Sequence, residues 1–76
     1  MATIASALNT AFTPAASDFI AQVSGGTAAL MRRGTSGAAW TSCGLITNGS
    51  VIVSNPVTGA SFMFVSSENV TVQADQ

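Results

Sequence analysis

Five charged residues and one cysteine hold the ionisable chemistry of this chain: Asp18, Arg32, Arg33, Glu68, Asp75 and Cys43. General acid–base catalysis needs titratable side chains converging on one point, and here the three carboxylates are scattered. Glu68 falls in the loop-like run Ser66-Ser67-Glu68-Asn69, Asp75 lies one residue before the last, and Asp18 is expected to pair with Arg33. There is no His, so neither a Ser–His nor a Cys–His nucleophile couple can form. A structural zinc site needs four nitrogen, sulfur or carboxylate ligands, more than one cysteine and dispersed carboxylates supply. Cys43 would need a cation beside it to become a nucleophile. A half-buried strand cysteine acting as a small hydrophobe is the simpler reading. Gly25-Gly26 and Gly34…Gly37 precede neither a helix nor a Lys, so they are no phosphate cradle. The expectation is a protein that is not an enzyme and uses no cofactor and no metal.

The scarcity of charge is itself informative. Only 7% of the residues are charged, against about 25% in ordinary soluble domains. Disorder pairs low hydrophobicity with high charge, whereas this chain is 47% hydrophobic with net charge −1. A core of this size rarely supplies more than about 3–5 kcal/mol without a disulfide, a metal or a partner. With a single Cys and no metal site, oligomerisation is the remaining source of stability. The lone Cys fits folding in a reducing cytosol. Arg32-Arg33 is the only basic pair, too little to neutralise a nucleic-acid backbone. No stretch approaches the ~20 apolar residues of a membrane span, and residues 1–17 lack the basic start and apolar run of an export signal. Neither nucleic acid nor membrane is expected as a partner.

Two regimes organise the chain. Residues 1–17 carry no charge and are rich in Ala and Thr. Their apolar anchors Ile4, Leu8 and Phe12 recur at i, i+4 and i+8, the spacing of one helical face. They read as an N-terminal arm docking on a neighbouring subunit, or else as a frayed terminus or an edge segment of the same domain.

Residues 18–76 form a β-domain of short strands separated by turn residues. Gly25-Gly26 predicts a two-residue hairpin turn, placing Val23 opposite Ala28, Phe19 opposite Arg32 and Asp18 opposite Arg33. One face of that hairpin reads Phe19, Ala21, Val23, Ala28, Leu30. Asn48-Gly49 predicts a second hairpin, with Ile46 opposite Val51. Trp40, Ile46, Val51 and Val53 then share a core face, while Cys43, Leu45 and Ile52 lie on a reverse side unusually apolar for a surface facing water. Asn55-Pro56-Val57-Thr58-Gly59 is a turn with Pro preset at its second position. The strands 60–65 and 70–74 predict a third hairpin in one of two registers: one turns Phe62 and Phe64 outward as an interface patch, the other leaves them in the core.

The expected fold is all-β, a small antiparallel sandwich or barrel of about six short strands. Its edges carry none of the Lys residues that usually blunt them, a second argument for assembly. The candidate subunit-interface residues are Ile4, Leu8, Phe12, Arg32, Phe62 and Phe64. Arg32 enters as the cation without a local partner. Trp40, the only Trp, reads first as core.

The run Phe19-Ile-Ala-Gln-Val-Ser-Gly-Gly-Thr-Ala-Ala-Leu-Met-Arg-Arg33, then Gly37 and Trp40, then Asn55-Pro-Val-Thr-Gly-Ala60 before an aromatic strand and Val70-Thr71-Val72, resembles small β-domain virion proteins of tailed bacteriophages. The resemblance covers roughly residues 17–74. This chain has Phe62-Met63-Phe64 where such domains often place an aromatic–Arg pair, so that Arg's contacts do not carry over. The resemblance implies a structural virion protein, assembled in the host cytoplasm. It would be a capsid decoration (cement) protein on the head shell, bound to the major capsid protein or other virion subunits, as a homo-oligomer for which it favours a trimer. A tail, fibre-base or adaptor component is the alternative within that class. A host-surface glycan- or receptor-binding module is the alternative outside it.

Overall fold

The computed structural model describes residues 2–35 and 37–76. They form five strands: β1 (Thr3–Ala5), β2 (Phe19–Arg33), β3 (Thr41–Val53), β4 (Ser61–Val65) and β5 (Thr71–Asp75). All belong to one antiparallel sheet that does not close on itself. The described residues contain no helix.

Five strands replace the expected six because the two strongest turn signals are not turns. Gly25-Gly26 lies inside the 15-residue β2, and Asn48-Gly49 inside the 13-residue β3. The two sites face each other. The β2–β3 ladder runs antiparallel from Phe19↔Val53 to Val23↔Gly49 and resumes at Thr27↔Thr47. Residues 24–26 of β2 therefore stand against Asn48 alone, a bulge. Gly25 and Gly26 take positive φ (88° and 152°), as does Asn48 (44°). The side-chain carbonyl of Asn48 accepts the N–H groups of Gly25 at 2.8 Å and Gly26 at 3.2 Å. Bulges and primed turns both require residues that tolerate positive φ. What selects the bulge is the longer ladder: β2 pairs with β3 at eleven positions.

The bulge also explains the burial pattern. Alternate residues of a strand face opposite ways, yet the buried set in β2 is Phe19, Ala21 and Val23, then Ala28 and Leu30. The inserted residues switch odd to even, so the same face stays inward. This is the face read from the sequence, although the expected fold-back does not occur. Asp18, just before β2, and Arg33, its last residue, are consequently not cross-strand neighbours, and the expected ion pair between them is not made.

The other edge of β2 is shared. β5 pairs with residues 20–24 and β4 with residues 29–33, both antiparallel. β4 and β5 thus follow one another along β2 as one interrupted strand, and neither register of the expected third hairpin forms. The interruption, residues 66–70, lies over the bulge. There Ser66 Oγ donates to the Thr27 carbonyl at 2.7 Å, and a Cβ at Gly26 would meet Val70 Cγ1 at 2.8 Å.

The sheet is folded over. Phe62 is in register with Arg32, thirteen residues along β2 from Phe19. At ~3.3 Å per residue a straight strand would separate them by about 43 Å, beyond the longest dimension of the molecule, 31 Å. Instead the rings of Phe19 and Phe62 meet edge-to-face at 4.8 Å. Around them lie Phe64, Val23, Val72, Ala21, Ala60 and Ala74, all buried.

Residues 3–12 border this sheet through β1 and two isolated bridges, Leu8 to Phe64 and Phe12 to Phe62, with a turn at Asn9 (φ 57°) between the bridges, in place of the expected helical face. Thr3 and Ala5 are in register with Asp75 and Ala74. Phe12 exchanges two backbone hydrogen bonds with Phe62, at 2.9 and 2.8 Å, and Asn9 N–H donates to the Phe64 carbonyl at 2.7 Å. Ala2 and Gln76 likewise exchange two backbone hydrogen bonds, at 3.2 and 3.0 Å. Beyond Phe12, the Gln76 side chain bonds to Ala15 and Ser17, and fully buried Asn55 donates to the Ala15 carbonyl at 2.8 Å.

Candidate subunit interface

β3 is the element whose outward apolar residues find no cover among the described residues. It ends the strand order, with β2 along one edge and no partner strand among the described residues along the other. Of its thirteen residues only Ile46 is buried and Val53 is half-buried; the rest are exposed. No charged residue occurs from Gly34 to Ser67, so β3 lacks the charges, and also the Pro, that usually protect a free edge.

Its two faces differ in kind. Ile46, in register with buried Ala28, closes the core, and Val53 packs against it. Val51 belongs to the same inward row but is 43% exposed, because the core does not extend beneath it. The outward face carries Leu45, in register with Ala29, and Ile52, in register with Ile20. Leu45 is 72% exposed and Ile52 75%. Between them the hydroxyls of Thr27 and Thr47 are hydrogen-bonded at 2.7 Å. Cys43, expected half-buried, is exposed. A shallow groove follows the strand past Leu45, Ile46, Val51 and Ile52.

The residues singled out from the sequence are distributed differently. Phe62 and Phe64 have no exposed surface, and together with Phe19 and half-buried Phe12 they form the aromatic cluster of the core. As candidates for an interface they are corrected to core, since a fully buried ring offers a partner nothing. Phe12 and Leu8 pack against that core through the chain's own bridges to Phe62 and Phe64. Ile4 remains exposed at 37% on β1. Arg32 is half-buried, with Thr41 in register on one side and Phe62 on the other. Arg33 lies over Trp40, its guanidinium carbon 4.5 Å from the ring centroid. Trp40 is thus half-buried beside Arg33 and not a member of the core cluster.

The carboxylates stay apart. Asp18 and Glu68 are exposed, while Asp75 accepts hydrogen bonds from Thr3 Oγ1 at 3.1 Å and Gln73 Nε2 at 2.9 Å. No cluster of three metal-ligating side chains occurs among the described residues. Leu45 and Ile52 are the residues a search for interface candidates by aromatic and charged type passes over. The signal that finds them is an apolar reverse face on a strand with no second layer to cover it. No protein-family model, curated protein or solved structure matches this chain.

Proposed function

We propose that this chain is a non-enzymatic structural subunit of a protein assembly. In the setting its sequence resembles, it is a capsid decoration protein that binds the head shell of a tailed bacteriophage. The observation that carries the reading is β3: a long, uncharged free edge with Leu45 and Ile52 nearly three-quarters exposed. Large exposed apolar patches mark interaction sites, and an unprotected edge is a template for another chain. The folded-over sheet then acts as a small sandwich, open along β3 until a partner covers it. Oligomerisation and attachment to major capsid subunits supply the stability that a 76-residue core lacks. The shell is stabilised by mass action, because a subunit that binds only the intact lattice shifts the equilibrium away from its disrupted forms.

The test is addition of the purified protein to shells that lack it. Saturable binding at a copy number matching the shell lattice, with a rise in the temperature of shell disruption, is the expected result. A copy number matching the ring symmetry of a tail would move the protein to the tail. Absence of binding to any particle would overturn the reading.

A further inference from the structure

β3 carries a self-complementarity that identifies what covers it. We propose that the free edge of β3 pairs antiparallel with β3 of a second copy, about a two-fold axis passing between Asn48 and Gly49. The inference builds on the reading of this chain as an assembly subunit and names the partner of that edge.

Three observations select a second copy. The first is the bend. β3 shares the bulge that folds β2 over, at Asn48, so a straight strand could follow only one half of it. A β3 from a second copy, turned about an axis at the bulge, bends at the same place and follows both halves.

The second is the face pattern. The extra residue at Asn48 puts Leu45 and Thr47 on the same outward face as Ser50 and Ile52, as their partners Ala29, Thr27, Gln22 and Ile20 show. With the axis at Asn48–Gly49, Leu45 meets Ile52 of the second copy and Thr47 meets its Ser50. On the inward face, Ile46 meets its Val51. The two most exposed large apolar residues of the strand thereby cover each other, twice. Moving the axis to the next register, one residue on, sets outward residues against inward ones, the mismatch that fixes register in sheets.

The third is charge and area. Facing like charges oppose pairing of a strand with itself, and β3 has none. A standard interface takes roughly 800 Å² per partner, near a fifth of this chain's 4104 Å². A strand holding a sixth of the residues, with all but Ile46 accessible, supplies a large part of it. A three-fold axis cannot set two copies of one strand antiparallel, so the contact is two-fold even inside a larger assembly.

The experiment is sedimentation equilibrium of the full chain with a charge-swap cycle. The wild-type protein should associate in even-numbered units at micromolar concentration. Leu45→Lys and Ile52→Glu should each weaken association at least tenfold, with the folded circular dichroism spectrum retained. The double variant Leu45→Lys/Ile52→Glu should recover most of the loss, because each Lys then faces a Glu of the other copy. As a second readout, Leu45→Cys/Ile52→Cys in a Cys43→Ser background should oxidise to a covalent dimer. A wild-type monomer at all concentrations, single variants without effect, no recovery in the double variant, or no cross-link would each overturn the proposal. Shell binding separates the two readings. A monomer that still decorates shells removes the two-fold contact and leaves the proposed function standing, whereas a dimer that binds no particle does the reverse.

Discussion

The Asn48 side-chain carbonyl reaches across the β2–β3 ladder and holds the N–H of Gly25 at 2.8 Å. This contact, with the one to Gly26, ties the bulge on one strand to the positive-φ residue on the other, so the two strands bend together. The fold of the sheet and the placement of both halves of β3 depend on it.

Asn48→Ala removes both hydrogen bonds and puts a residue that disfavours positive φ at φ 44°. Each net hydrogen bond is worth about 0.5–1.5 kcal/mol, and the left-handed conformation costs Ala about 1–2 kcal/mol. The expected loss is about 2–5 kcal/mol in urea unfolding at fixed protein concentration. Asn48→Gly, which keeps the conformational freedom, should lose less than Asn48→Ala. Equal losses would show that the backbone angle is not under strain.

At Gly26 the obstacle is packing as well as angle. An added Cβ would sit 2.5 Å from Glu68 Oε1 and 2.8 Å from Val70 Cγ1. The Glu68 carboxylate is the end of an exposed, flexible side chain and can move; Val70 is buried and cannot move freely. Gly26→Ala should therefore destabilise by about 1–3 kcal/mol, and more than Gly25→Ala, which meets no atom within 4 Å. The order of the two melting temperatures checks this.

Core and interface separate by substitution. Phe62→Ala in the aromatic cluster should cost about 3–5 kcal/mol, as much as a core of this size provides, and should leave the chain unfolded by circular dichroism. Leu45→Ser should change the intrinsic stability of the single chain by no more than about 0.5 kcal/mol, while reducing association. A folded Phe62→Ala protein would contradict the packing described for β4.

Arg33 answers to Trp40 and not to Asp18. Arg33→Gln should lower stability by about 0.5–1 kcal/mol, the range of a cation–π contact near the surface, and change the fluorescence of the only Trp. Asp18→Asn should be neutral, and a double-mutant cycle between positions 18 and 33 should show no coupling. Measurable coupling would restore the ion pair that the hairpin reading expected.

Much of the fold was legible, but for reasons that were only partly the right ones. The inward row Phe19, Ala21, Val23, Ala28, Leu30 follows from the change of parity at Gly25-Gly26, and a turn and a bulge change parity alike. Local residue types cannot choose between them; the choice rests on how far β2 can pair with β3, a property of residues twenty to thirty positions apart. The same non-locality hid Phe62, whose burial depends on the fold-over that brings Phe19 to it. The spacing of Leu8 and Phe12 suits a helix, but it also suits a chain that touches β4 every four residues. At the candidate interface, the apolar reverse face of Leu45 and Ile52 was readable from alternation together with the change of parity at Asn48-Gly49, which a turn and a bulge again produce alike.

The paired backbone hydrogen bonds between Ala2 and Gln76 have a practical consequence. They hold residues 2 and 76 side by side on the margin of the sheet farthest in strand order from β3. A label attached to the side chain at position 2 would therefore report on the sheet at the opposite end of the strand order from the edge through which copies join.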